Sequence, residues 1–204
     1  MTTHHKLLGA FALGLSLTVI ASLSAQIQAG LLGRRTVGLS GFAEDIRTAG
    51  ISSGSGALLG VNLPLGSNAD FGFSGSYESI PTNSFQERQA FASLTTYREL
   101  DTFKPFVDVS LGNIWQSSSF GGFQYSDNKA VYALGAGVEA PVSDATAFAG
   151  RISYNKYFDG KLGHHWTYSF SINHWMTERV AGVASVAFRG SDSIIYTVGL
   201  ALCF

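Results

Sequence analysis

The final stretch of the chain, Ile194 to Phe204, limits what the rest can be. Every second residue from Tyr196 is large and apolar: Tyr196, Val198, Leu200, Leu202, Phe204. The residues between them, Thr197, Gly199, Ala201 and Cys203, are small. Successive side chains of a strand point to opposite faces, so this is a strand with one broad apolar face and one slim face. A water-soluble sheet needs something to cover such a face. A barrel in a membrane does not, because lipid covers it and closure satisfies the backbone.

Composition agrees with this. Hydrophobic residues make up 46% of the 204-residue chain and charged residues only 13%, with 24 glycines. That is too apolar and aromatic for disorder. The one long apolar run lies at the N-terminus, from Leu7 to about Leu23 behind Lys6, and ends in Ser22-Leu23-Ser24-Ala25-Gln26. A basic start, apolar centre and small-residue exit predict a signal peptide over residues 1–25, cleaved after Ala25 or, as second choice, Ala29. A retained membrane anchor is the competing reading. No cysteine lies near the exit, so a lipid-modified anchor is not expected. Cleavage removes only Lys6 from the charge count. Thirteen basic and 14 acidic residues become 12 and 14, a net charge of −2. That balance gives no reason to expect nucleic acid as a partner. A single cysteine, Cys203, rules out an internal disulfide framework.

From Gly33 onward, alternating segments recur between turn signals. They run over residues 35–43, 57–65, 71–79, 88–97, 103–115, 129–140, 146–157, 165–175, 180–189 and 194–204. Val37, Leu39, Leu59, Val61, Phe73, Val107, Leu111, Leu134, Val138, Ile152, Phe170 and Ile172 fall on the apolar rows. The fourth segment is the least regular, since Phe91 and Tyr97 share one parity and Leu94 has the other. The longest predicted loop is Gln116 to Asn128, and short and longer connections alternate. The reading is an all-β, closed, antiparallel up-and-down transmembrane barrel of ten strands over residues 26–204. Eight strands result if the first or fourth segment is miscounted.

The face opposite the apolar rows decides between a membrane barrel and a soluble one. It carries Gly, Ser, Ala, Thr and Asn together with Glu78, Lys104, Asp108, Glu139, Arg151 and Arg189. As a solvent face this is poor in charge. As a narrow interior it supplies three acids and three bases to pair. Aromatics sort to strand ends, with Phe71, Tyr97, Phe103, Phe148 and Phe204 at the turn side. Tyr77, Trp115, Tyr132, Tyr154, Trp166, Tyr168, Phe188 and Tyr196 lie at the loop side. Two such bands are expected of interfacial girdles.

In this pattern the chain resembles the small outer-membrane β-barrels of Gram-negative-type bacteria, the OmpA-like and OmpX-like superfamily. The resemblance covers the whole mature chain as a pattern, without a catalytic motif. It implies that Tyr196, Val198, Leu200, Leu202 and Phe204 form an assembly signal read by the barrel-assembly machinery. It also implies residence in the outer membrane, with its lipid as the surrounding partner. Cys203 departs from the pattern; by parity it faces the lumen as a buried, inert thiol. No peptidoglycan-binding domain is expected after the barrel.

Chemistry-bearing motifs are sparse. Beyond the leader the histidines are His164, His165 and His174. His164-His165 lies near Asp159, but the His-x-Ser-Asn pattern of lipid A deacylase barrels is absent. Nor is there a counterpart to the paired acids of outer-membrane aspartyl-type proteases. Adjacent strand residues point opposite ways, so His164 and His165 cannot share a metal. No cofactor, metal or catalytic residue is expected. Phe120, Phe123 and Tyr125 are the candidate external contacts, because aromatic, serine-rich loops suit recognition. The functional reading is a structural or surface-interaction barrel, its lumen plugged by paired charges. The alternative is a narrow channel for ions or small solutes, and a lipid-modifying enzyme is a minor one.

Overall fold

The computed structural model describes residues 31–47, 53–81, 84–120, 123–159, 164–189 and 193–204. The predicted leader and both of its cleavage positions lie outside these residues. Ten strands form one closed barrel: β1 (Thr36–Ile46), β2 (Gly54–Pro64), β3 (Ala69–Ile80), β4 (Phe85–Tyr97), β5 (Lys104–Phe120), β6 (Phe123–Ser143), β7 (Thr146–Tyr157), β8 (His164–Trp175), β9 (Val180–Arg189) and β10 (Ser193–Cys203). Each strand pairs antiparallel with its sequence neighbours, and β1 pairs with β10 from Thr36↔Cys203 to Ile46↔Ser193. Closure removes the two edges that an open sheet would leave unpaired. This settles the strand number at ten and puts both ends of the barrel sequence on one side.

The outward rows are apolar. Leu39, Leu59, Phe73, Val107, Leu111, Leu134, Phe170, Ile172, Val198 and Leu200 are all exposed. The aromatic bands follow, with Phe71, Phe103, Phe148 and Phe204 exposed toward one end. Tyr77, Trp115, Trp166, Tyr168, Phe188 and Tyr196 are exposed toward the other. Tyr97 is the exception: it is turned inward and packs with Leu32 and Phe106. The ambiguous fourth segment explains it. The inward row of β4 is Phe85, Glu87, Gln89, Phe91, Ser93, Thr95 and Tyr97, so its aromatics belong to the lumen and Leu94 to the lipid.

Two predicted features are corrected. The stretch Gln116 to Asn128 is not a loop but a long hairpin, paired from Gln116↔Asp127 to Phe120↔Phe123 around residues 121–122. Its Ser/Gly composition lowers hydropathy without lowering the capacity to pair, and Gly-Gly suits a two-residue connection. Connections also do not alternate cleanly in length, since residues 98–103 on the turn side match residues 158–163 on the loop side. Pro141 sits beside the one irregularity of register in the β6–β7 ladder, a place in a sheet where proline is tolerated.

Val198 stands mid-strand on the outward face, between Gly41 and Ala184. Val198→Arg should lower the unfolding free energy in lipid by about 2–4 kcal/mol. Urea titration of vesicle-embedded protein would measure it, and the same change at Thr96, close to the turn side, should cost far less.

The filled lumen as candidate functional site

Three layers of side chains occupy the interior. At the turn-side mouth the segment before β1 folds into the barrel. Leu31 packs on Ala181, Val183, Ala201 and Trp175, and Leu32 packs on Tyr97 and Phe106. Gly33 takes a positive φ of 82°, the left-handed conformation glycine adopts without strain, and a Cβ there would meet the Tyr97 hydroxyl at 3.0 Å. Its amide donates to Asp70 Oδ2 at 2.9 Å. Asn62 Nδ2 donates to the same oxygen at 2.9 Å and to the Arg34 carbonyl at 3.1 Å. The Arg34 guanidinium lies 4.3 Å from the centre of the Trp175 ring, a cation–π contact. Leu31 and Leu32 thus form a small apolar stopper, and the buried Asn62 and Asp70 hold the exposed Gly33 and Arg34 behind it.

At mid-height Arg151 forms a bidentate pair with Asp108, Nε to Oδ1 at 2.8 Å and Nη2 to Oδ2 at 2.6 Å. Both side chains are almost fully buried, 2% and 4% exposed. Gly135 lies against this pair, and a Cβ there would collide with Asp108 Oδ1 and the guanidinium. Gly56, Gly112 and Gly137 play the matching part for rings, each leaving room for an inward phenylalanine: Phe42, Phe91 and Phe106. This is why an inward row of glycines coexists with a full lumen.

Toward the loop side, apolar clusters surround an acidic group. Phe91, Ile114, Val131 and Tyr157 form one cluster, Phe42, Leu58, Ala187 and Ile195 a second, and Ile46, Ile80 and Phe85 a third. Glu78 lies beside Glu44, with Glu87 and Arg189 near it. Glu87 accepts hydrogen bonds from Gln116 Nε2 at 2.9 Å and from Gln89 Nε2. All three glutamates are 1% exposed or less.

Of the six charges read from the sequence, Glu78, Asp108, Glu139, Arg151 and Arg189 are buried. Lys104 is not among them: it stands at the turn-side end, its ammonium 2.7 Å from Glu99 Oε1. Parity places Lys104 correctly on the inward row, but at a strand end a long side chain reaches water and the nearest acid of the turn. The interior also holds Glu44, Asp70 and Glu87. Among the described residues the buried charges are therefore six carboxyls and two arginines, not three and three. Glu44 falls just past the predicted end of the first segment and Glu87 just before the predicted start of the fourth. Their neighbours Phe42, Ile46 and Phe85 are apolar and inward, so the alternation that marks a half-buried strand fades there. Continuing the strict two-residue period through those ends is the signal that finds them.

On the hairpin arm, Tyr125 donates to Asp127 Oδ2 at 2.7 Å and Lys129 lies 2.9 Å from the same oxygen. Burial pushes the Tyr125 hydroxyl up to about 12, and the bond to Asp127 adds to it. Burial alone would raise the Asp127 carboxyl, but Lys129, Tyr125 and the Asn128 amide outweigh it and hold it below the usual carboxylate range. Backbone pairing carries Phe120 and Phe123 to the tip of this arm; their side chains lie outside the described residues. His164 and His165 alternate across the wall, His164 exposed and outward, His165 half-buried and inward.

No family model matches the chain, and no curated protein matches it in sequence. Solved structures do match. The translocator domain of the autotransporter NalP from Neisseria meningitidis aligns over 100% of this chain and 97% of its own, at 12% identity and a TM-score of 0.51. An outer-membrane channel from Pseudomonas putida F1 aligns over 84% and 96%, at 8% identity and 0.51. Neisserial surface protein A aligns over 83% and 96%, at 13% identity and 0.45. At these identities the likeness is one of fold.

Removing one partner of the mid-height pair leaves a buried charge uncompensated. Asp108→Ala or Arg151→Ala should each cost about 3–5 kcal/mol, and Asp108→Leu with Arg151→Met less than either. A double-mutant cycle in urea measures the difference. The arm gives a pH test. The raised Tyr125 value means its contribution is complete below about pH 10 and is lost as pH rises toward 12. The lowered Asp127 value means its contribution is complete above about pH 4 and is lost on acidification. Comparing unfolding of the parent with Tyr125→Phe and Asp127→Asn across pH checks both signs.

Proposed function

Starting from the fold of a small outer-membrane β-barrel, we propose that this chain is an exported outer-membrane protein of a Gram-negative-type bacterium with a structural or surface-interaction role. Its partners are the surrounding lipid and, during biogenesis, the barrel-assembly machinery that reads Tyr196 to Phe204. The role is not catalytic. One observation carries the closed reading: the lumen is occupied at both ends and in the middle. The Leu31-Leu32 stopper fills the turn-side mouth, Arg151–Asp108 the mid-height, and the Phe91 cluster the loop side. Such a barrel displays rather than conducts, and its hairpin arm, with Tyr125 exposed, is the part that reaches outward.

A narrow channel is the second reading. The acid excess of the interior favours it, because six buried carboxyls against two arginines would select cations. So does the middle of the inward face of β8, between His165 and Trp175, where Thr167, Ser169, Ser171 and Asn173 form the wall.

Planar-bilayer recording of refolded protein, after a heat-modifiable gel shift shows the folded barrel, separates the two. The closed reading expects silence, and continued silence when Leu31 and Leu32 are both changed to Asn, since the loop-side clusters still fill the bore. Stable discrete conductance whose ion preference changes with Glu139→Gln or Arg151→Gln establishes the channel instead.

A further inference from the structure

An arginine or lysine facing lipid is costly at the bilayer midplane and tolerated near the interfaces. Among the described strand residues, the outward positions hold two fixed cations, Arg88 on β4 and Lys156 on β7. Both stand toward the loop-side ends. The turn-side arginines Arg35, Arg98 and Arg179 stand in connecting segments, interspersed with Glu99, Asp101, Asp144 and Glu178.

Each outward cation is the centre of a cross-strand row. Arg88 is the register partner of Tyr77 on one side and Trp115 on the other, and both rings are exposed. Lys156 lies between Tyr132 and His164. Aromatic contacts continue around it: Tyr154 meets Trp166 edge-on at 5.2 Å and His164 at 5.3 Å, and Tyr132 meets Phe158 at 5.3 Å. No carboxylate among the described residues lies within ion-pair distance of Arg88 or Lys156. The outward strand acid at this end is Asp45 on β1, with two strands between it and β4. Asp159, in the connection after β7, holds an interaction of its own.

The surface beneath continues the same shape. Below Arg88 come Gly75–Ala90–Asn113, where the Asn113 amide is taken up by Asn128 Oδ1, and then the apolar row Phe73–Ala92–Leu111. Below Lys156 come Leu134–Tyr154–Trp166 and Ala136–Ile152–Tyr168. A cation above a ring-flanked apolar track fits a ligand with an anionic head and an acyl tail; a free anion has no use for the track.

We propose that Arg88 and Lys156 are two headgroup sites, each holding the phosphate of a phosphorylated glycolipid in the loop-side leaflet. The flanking rings lie along the sugar and the tracks below along the acyl chains. The proposal rests on the bilayer placement of the barrel and holds whether the lumen is closed or conducting.

The test titrates detergent-refolded protein with an acylated diphosphoryl glucosamine disaccharide and counts bound lipid by native mass spectrometry. The dephosphorylated lipid and inorganic phosphate serve as controls. Two phosphorylated lipids should bind the parent. Arg88→Gln and Lys156→Gln should each weaken one site about fivefold, and the double variant should lose the preference over dephosphorylated lipid. Arg88→Lys and Lys156→Arg should restore binding, with the same heat-modifiable shift in all variants, which separates a lost contact from a lost fold. The proposal fails if the double variant binds like the parent or if dephosphorylated lipid binds as tightly. Displacement of the lipid by equimolar inorganic phosphate would reveal an anion site and overturn it as well.

Discussion

Backbone hydrogen bonding in lipid is the constraint on which the whole structure depends. No water is available to an unpaired N–H or C=O in the hydrocarbon layer, so a sheet that enters it must close. Here closure is the β1–β10 ladder, paired along the full length of both strands from Thr36↔Cys203 to Ile46↔Ser193. Once the ladder is continuous, the outward rows are free to be almost wholly apolar. The two outward cations of the described strands then stand where the interface can receive them.

Closure also creates a problem that the interior has to solve. A ten-stranded wall encloses more space than small side chains fill, and an unfilled apolar space costs contact energy. The chain fills it with large inward groups set against glycines, and with a stopper drawn from the segment before β1. Some polar groups enter the lumen in partnered sets, as with Asn62 and Asp70 under Gly33 and Arg34, or Gln89 and Gln116 around Glu87. The Thr36, Ser171 and Thr197 hydroxyls, in contrast, are buried without a hydrogen-bond partner among the described residues. The acid excess is the part of the design that sits least easily with a wholly closed bore.

The wall was more legible than its contents. β7 and β9 occupy the residues predicted for them. β7 shows an uninterrupted contrast between an apolar and a small or polar row, whereas β9, small or apolar on both faces apart from Arg189, is delimited by its polar flanks. Boundaries slipped at the β5–β6 hairpin because its Ser/Gly-rich rows read as a loop, and at β1 and β4 for another reason. At the loop side the inward rows are apolar too, with Phe42, Ile46, Phe85 and Ile114. Periodicity shows as contrast between faces, and contrast vanishes where both faces are apolar. Tyr97 differs for another reason: an aromatic at a strand end reads alike in sequence whether it belongs to a girdle or, as here, to a stopper.

What the sequence determined by itself is the barrel: its alternating strands, their number left at ten or eight, their parity, and which face meets lipid, because these follow from a period of two. Only the tertiary structure decided what fills the bore. Whether Lys104 meets Glu139 across the ladder or Glu99 in the turn depends on where a flexible side chain finds water. Whether Leu31 and Leu32 enter the mouth depends on a cavity that exists only after ten strands have closed. Glu44 and Glu87 become interior carboxyls only when the strands extend past their apolar contrast. Pairing within a lumen is set by distances across the barrel, and those distances are absent from any local stretch of sequence.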